Sequence, residues 1–135
     1  MILFFDRNTG TAIPRALKEH LKPPSVEVEY HQLHFDQQEQ DDVWLAQVGS
    51  RGWFVVGQDY RYHERPSELA ALTAHSVGVF YLWGAEAPRW ETMRVFARAY
   101  DRIIRAAQNT PRPFLYRVDR RGALQQQFLG GTPRR

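Results

Sequence analysis

Six carboxylates stand where they could act together: Asp6, Asp41, Asp42, Asp59, Glu64 and Glu68. Carboxylates held within a few ångströms of one another repel, and they either protonate or share a cation. Oxygen ligands of this kind suit a hard divalent ion, Mg²⁺ or Mn²⁺. Such an ion polarises a phosphodiester and generates hydroxide for in-line attack. Taken singly, each acid reads first as a helix cap or a turn residue. The joint placement of Asp6 and Asp59 says more, because each ends an apolar run and a charge at the end of a buried strand is costly.

The elements that must position these acids follow from periodicity. Residues 2–5 form an apolar run that ends at Asp6, which reads as a strand buried on both faces. Thr9-Gly10-Thr11 turns into a helix over 12–21, stopped by Lys22-Pro23-Pro24. Residues 26–34 alternate as a strand with one wetter face, which would leave His31 and His34 on opposite sides. A polar lead-in over 37–42 opens a short helix with Val43, Trp44 and Val48 on one face. Residues 53–56 make a second apolar strand, followed by Gly57-Gln58-Asp59; 66–75 is a helix and 77–82 a third apolar strand. The longest helix spans 88–108, with Trp90, Met93, Ala97, Tyr100 and Ile104 toward the core. Strand and helix alternate four times, which predicts a mainly parallel sheet with helices on both faces. In such a sheet the loops that leave the strands share one edge, and ligands bind there. After Pro111 the pattern changes to a β-hairpin, 114–118 and 123–129, with Gly122 at a positive φ. The expected organisation is one α/β domain over 1–110, a basic hairpin extension of it over 111–129, and a flexible tail over 130–135.

Composition narrows the classes. The 135 residues are 43% hydrophobic and 24% charged, which excludes wholesale disorder, and the absence of cysteine excludes disulfides, thiolate metal sites and cysteine nucleophiles. No apolar run reaches the ~20 residues of a membrane span, so a soluble, cytoplasmic protein is expected. The net charge of +3 is unevenly spread: residues 111–135 hold six Arg against Asp119 alone, and Arg supplies 16 of the 18 basic residues. The planar guanidinium fork suits phosphate, so the basic segment points to nucleic acid or an acidic partner. Arg120 and Arg121 sit at the hairpin tip. Arg94, Arg98, Arg102 and Arg105 form one helical stripe, either a solvated face paired with Glu91 and Asp101 or a track for phosphates. Tyr60, Arg61, His63 and Arg65 lie in a polar loop beside the acids, where a ring could stack on a splayed base.

Three segments together resemble the PIN-like domains, relatives of the VapC-type toxins: Phe4-Phe5-Asp6-Arg7-Asn8; Asp41-Asp42-Val43-Trp44-Leu45 leading to Val48-Gly49-Ser50-Arg51-Gly52-Trp53; and Gly57-Gln58-Asp59-Tyr60-Arg61 with Arg65-Pro66-Ser67-Glu68-Leu69. The resemblance covers roughly residues 1–85 and implies a three-layer α/β/α sandwich around a mainly parallel sheet. It also implies three or four acids around Mg²⁺ or Mn²⁺ that cleave RNA. By position, Asp6 matches the first acid, Asp41 the helix acid and Asp59 the third, with Asp42 a one-residue alternative to Asp41. The fourth acid has no match; Glu64 or Glu68 would substitute for it, and Asn8 would hydrogen-bond a ligand or a metal-bound water. The resemblance thus implies a metal-dependent endoribonuclease, the toxin of a type II toxin–antitoxin module, with RNA as substrate, a small antitoxin as partner and a homodimer as a further assembly. A non-catalytic module that binds nucleic acid or protein is the alternative. Asp6–Thr11 also resembles the haloacid-dehalogenase nucleophile loop, but Asn8 replaces the second Asp, and no Lys follows Lys22 for that chemistry or for a receiver domain.

Overall fold

A computed structural model describes residues 1–58 and 66–129, the side chains of Pro66 and Glu68 excepted. The apolar runs become the strands β1 (Ile2–Phe5), β2 (Glu27–Tyr30), β3 (Phe54–Gly57), β4 (Gly78–Leu82) and β5 (Phe114–Val118). With β6 (Leu124–Gln126) they form one sheet in the order β2-β1-β3-β4-β5-β6, parallel except for the final β5–β6 pair. Helices α1 (Ala12–Ala16), α2 (His31–His34), α3 (Asp41–Ser50), α4 (Pro66–Ala74) and α5 (Arg89–Asn109) complete the described elements.

Side chains alternate across each strand, so an apolar run between two helical layers feeds two cores. Leu3, Phe5, Val56, Phe80 and Phe114 pack with α1 and α5; Phe4, Val55, Val79, Tyr81 and Leu115 pack with α3 and α4. This is the expected three-layer α/β/α sandwich. One connection is unusual. The β3–α4–β4 and β4–α5–β5 units step the same way across the sheet, yet their helices lie on opposite faces. The two crossovers therefore have opposite hands, and one departs from the right-handed rule for parallel units.

Five local expectations are corrected. The helix after β1 is α-helical only to Ala16; its last turn, Leu17–Leu21, is π-wound and ends at Lys22, whose φ is 46°. The strand β2 stops at Tyr30, and His31 and His34 belong to α2, so they do not alternate across a strand. In α3 the inward residues are Trp44, Leu45 and Val48, while Val43 is exposed. The buried face of α5 is Thr92, Val95, Phe96, Ala99, Ile103 and Ala107, and Trp90 is 70% exposed. Val95, Phe96 and Ile103 supply the bulk of that face, and Met93 and Tyr100 pack only at the rim of the core. The hairpin forms with Gly122 at φ 82°, but its second strand is Leu124–Gln126, shorter than the expected 123–129. Its first strand is a full member of the sheet, with Phe114 and Leu115 buried.

His31 is fully buried among Phe4, Phe35 and Trp44, and neither ring nitrogen has a hydrogen-bond partner among the described residues. Burial, reinforced by Arg7 and opposed by Asp41, lowers its pKa below the ordinary 6.5. The sign follows from linkage: the unfolded chain takes up this proton first, so His31 costs no stability above about pH 6.5 and removes it as pH falls further. The limiting slope is about 1.4 kcal/mol per pH unit, until the folded-state pKa is reached. Urea unfolding at pH 7.5 and 5.5 should show a smaller pH-dependent loss for His31→Leu than for the parent chain. Equal losses would show that His31 is not the group that takes up the proton.

Candidate active site

The parallel strands deliver the exits of β1, β3, β4 and β5 to one edge. The chain leaves β1 and β4 toward the α1/α5 layer and leaves β3 toward the α3/α4 layer. The end of β3 is thus flanked by a change of direction on each side, and such switch points leave crevices for ligands.

Asp6 sits at this edge and is 1% exposed. Its backbone N–H donates to Val56 O at 3.0 Å, which extends the β1–β3 ladder, and its Oδ1 accepts from the Asn8 N–H at 3.0 Å. The second bond makes Asp6 the cap of a 3₁₀ turn, Arg7–Thr9, and Thr9 Oγ1 donates back to Asp6 O at 2.8 Å. The other carboxylate oxygen lies over the last residue of β3: a Cβ on Gly57 would stand 2.4 Å from Asp6 Oδ2 and 3.0 Å from the Tyr81 ring. Only glycine fits between them.

Gln58 continues the chain past Gly57 and is 7% exposed. Its Nε2 donates to Gly84 O at 3.2 Å and to Thr92 Oγ1 at 2.9 Å, and Thr92 Oγ1 donates to Gly84 O at 3.2 Å. This buried bridge ties the β3 exit to the loop after β4 and to the first turns of α5. The sequence pattern assigns neither residue this role. Their signal was a polar side chain at the end of an apolar strand and a threonine on the inward face of a helix.

The other acids divide. Asp41 opens α3, and its Oδ1 accepts from Arg7 Nη2 at 2.8 Å and from Trp44 Nε1 at 3.0 Å. Arg7 also donates to Gln37 O at 3.2 Å and Glu39 O at 2.5 Å, drawing the segment before α3 onto the β1 exit. Asp41 is therefore brought beside the residue that follows Asp6, with its carboxylate already paired. Asp42 turns to His75 Nε2, 3.0 Å away. Asn8 uses its backbone N–H for the Asp6 cap, and its residue surface is exposed. Asp59, Tyr60, Arg61, His63, Glu64, Arg65 and the side chain of Glu68 lie outside the described residues. Among the described residues, no three His, Asp or Glu side chains gather into a group that could hold a metal. Asp6 supplies the hard oxygen donor that Mg²⁺ or Mn²⁺ prefers, and Asp41 Oδ1 is already engaged by Arg7 and Trp44.

The basic residues also divide. Arg98 Nη1 donates to Arg120 O at 3.3 Å and Arg102 Nη1 to Gly122 O at 3.1 Å, so two members of the helical stripe hold the hairpin turn. Arg94 pairs with Glu91 at 3.3 Å. Arg121 is exposed, and the guanidinium of Arg120 lies 5.5 Å over the ring of Trp83.

The site is thus a buried aspartate at the carboxyl edge of a doubly wound sheet, in front of a glycine-cleared strand end. The chain belongs to the PIN-like domain family, whose model matches residues 1–84, from β1 through β4. No curated protein and no solved structure matches it. Among the described residues, no helix is long and apolar enough to cross a membrane.

The contact between Gly57 and Asp6 can be measured by coupling. Gly57→Ala should destabilise the fold by about 1–3 kcal/mol, the usual cost of an overpacked site. In an Asp6→Ala background the same change should cost less, because the closest clash is gone. Additive losses in urea unfolding would show that the two residues do not compete for this space.

Proposed function

We propose that this chain is a metal-dependent ribonuclease that acts as the toxin of a type II toxin–antitoxin module in the cytoplasm. The observation that carries this reading is the burial of Asp6 at the ligand-binding edge of a PIN-like domain. Asp6 and Asp59 would hold Mg²⁺ or Mn²⁺, with Asp41 as a third carboxylate. Asn8, Asp42, Glu64 and Glu68 would assist through water. The ion, once bound, supplies Lewis acidity to the scissile phosphate and lowers the pKa of water. The protein's own contribution is orientation: the Asn8 N–H and the Gly57 gap fix the Asp6 carboxylate before substrate arrives, so no reorganisation is needed at the moment of reaction. Tyr60, Arg61, His63, Arg65, Arg120 and Arg121 would contact the RNA. A small antitoxin would silence the enzyme by covering this edge, with a cationic side chain directed at the carboxylates.

The Arg7–Asp41 ion pair favours a second reading. It neutralises one of the acids internally, as suits a PIN-like module that binds nucleic acid or protein without cleaving it. Incubation of the purified protein with structured and unstructured RNAs separates the two. Under the first reading, cleavage needs Mg²⁺ or Mn²⁺, stops in EDTA and falls by about 100-fold or more in Asp6→Asn. Mn²⁺ at about 100 times its Kd should also stabilise the parent fold by about 2.7 kcal/mol, and Asp6→Asn much less. RNA bound but not cleaved, with no stabilisation by Mn²⁺, would establish the second reading; cleavage undiminished in excess EDTA would remove the metal.

A further inference from the structure

The carboxyl edge holds a second feature, on the far side of the β3 exit. A cavity of 410 Å³ opens between the loop after β4 and the β5–β6 hairpin, lined by Trp83, Glu86, Arg117, Asp119 and Gln125 among others. Trp83 is 38% exposed, although large aromatic rings are normally buried, and it is covered on one face by the Arg120 guanidinium. The main chain of the hairpin is held firmly. Asp119 Oδ1 accepts from the N–H groups of Arg121 and Ala123, at 2.9 and 3.0 Å, and Arg98 and Arg102 bind the carbonyls of the turn. One oxygen of Asp119 is thus engaged inside the turn; Arg117, Asp119 and Glu86 are the charged residues that line the cavity, and Arg120 stands beside it over the Trp83 ring.

We propose that this cavity is a nucleobase subsite for single-stranded RNA, a deepening that rests on the ribonuclease reading above. The unpaired base stacks on the indole of Trp83 where that side chain lines the cavity. Arg120, which stands over the Trp83 ring, pairs with the flanking phosphate together with Arg117, and the Gln125 amide faces the base edge as donor or acceptor. Glu86 repels phosphate on the loop side, which sets the direction: backbone along the hairpin, base toward the loop after β4. The cavity lies roughly 10–14 Å from the end of β1, two to three strand spacings of about 4.8 Å. It would therefore hold a nucleotide neighbouring the one at Asp6 rather than the scissile phosphate itself. The buried Gln58–Thr92–Gly84 bridge joins the two places, because Gly84 directly follows Trp83.

The test is equilibrium binding of a short fluorescein-labelled single-stranded RNA in EDTA, where no metal-dependent cleavage can interfere. Trp83→Leu should bind about 5- to 100-fold more weakly, and Trp83→Phe, which keeps a ring, should recover most of that loss. An RNA scanned with a single abasic nucleotide should show one position at which the parent protein loses a similar factor and Trp83→Leu loses nothing more. Arg120→Gln should flatten the dependence of log affinity on log salt by about 0.7. Thermal unfolding of each variant checks that the partly exposed substitutions leave the fold intact. Parent-like affinity in folded Trp83→Leu, or an equal loss at every abasic position, overturns the subsite. Cleavage of RNA by a protein whose affinity ignores Trp83 leaves the nuclease reading standing and removes this one. Binding through Trp83 without cleavage in Mn²⁺ does the reverse, and a parent protein that binds no RNA removes both.

Discussion

The structure turns on a buried carboxylate. An aspartate at the end of a central strand loses most of its water, and the fold must replace that solvation with fixed polar groups. The chain meets this demand locally, through the Asn8 N–H that caps onto Oδ1, and it makes room for the other oxygen by leaving Gly57 without a side chain. Both devices belong to the backbone, so they position the carboxylate without side-chain rotamers of their own. The sheet order follows the same logic. Placing β1 between β2 and β3 puts Asp6 at a change of chain direction, where the loops diverge and leave space above the strand ends.

The strands and the sandwich were legible in the sequence because a strand buried on both faces can hardly be written except as an apolar run closed by a turn or a charge. Helix orientation was less so. In α5 the large residues Trp90, Met93 and Tyr100 suggest one face, whereas Thr92, Ala99 and Ala107 mark the face the fold buries. Bulk alone does not choose between the stripes, since Val95, Phe96 and Ile103 stand on the buried face as well. The end of β2 failed for a related reason. Alternation through Tyr30 continues formally into His31–His34, but the strand has a partner only in β1, and its last register pair is Phe5 with Tyr30. Beyond that pair the chain gains nothing from staying extended, so α2 begins.

Of the candidate site, the position of Asp6 was legible and its surroundings were not. A sequence shows that Arg7 and Asp41 carry opposite charges, but not that the segment between β2 and α3 folds back and closes an ion pair across 34 positions. That pair carries two consequences at once. It fixes the start of α3 against the β1 exit, and it commits Asp41 Oδ1 to a charge-assisted bond and the Trp44 donor together, so that a ligand of this oxygen must displace both. His31, buried beside this arrangement and facing both charges, belongs to the same packing problem.

The basic C-terminal segment shows why charge counts locate function poorly. Its excess of arginine reads as a separable nucleic-acid arm, yet β5 is a buried strand that completes the sheet, and the turn beyond it is bound by two arginines from α5. Part of the positive charge on this side therefore pairs with backbone carbonyls and serves the fold. Arg120 and Arg121 are presented by the hairpin turn at the same edge as Asp6, whereas Arg112 precedes β5 and lies over Phe54. The opposite hands of the last two crossovers help to put it there: sending α5 to the far face carries the loop after β4 away from the β3 exit and leaves Trp83 exposed beside the hairpin. A conventional crossover would place the helix on the face of α4, and the loop leading to it would cross the strand ends on the other side. The unusual connection and the exposed ring are then two results of one choice of route.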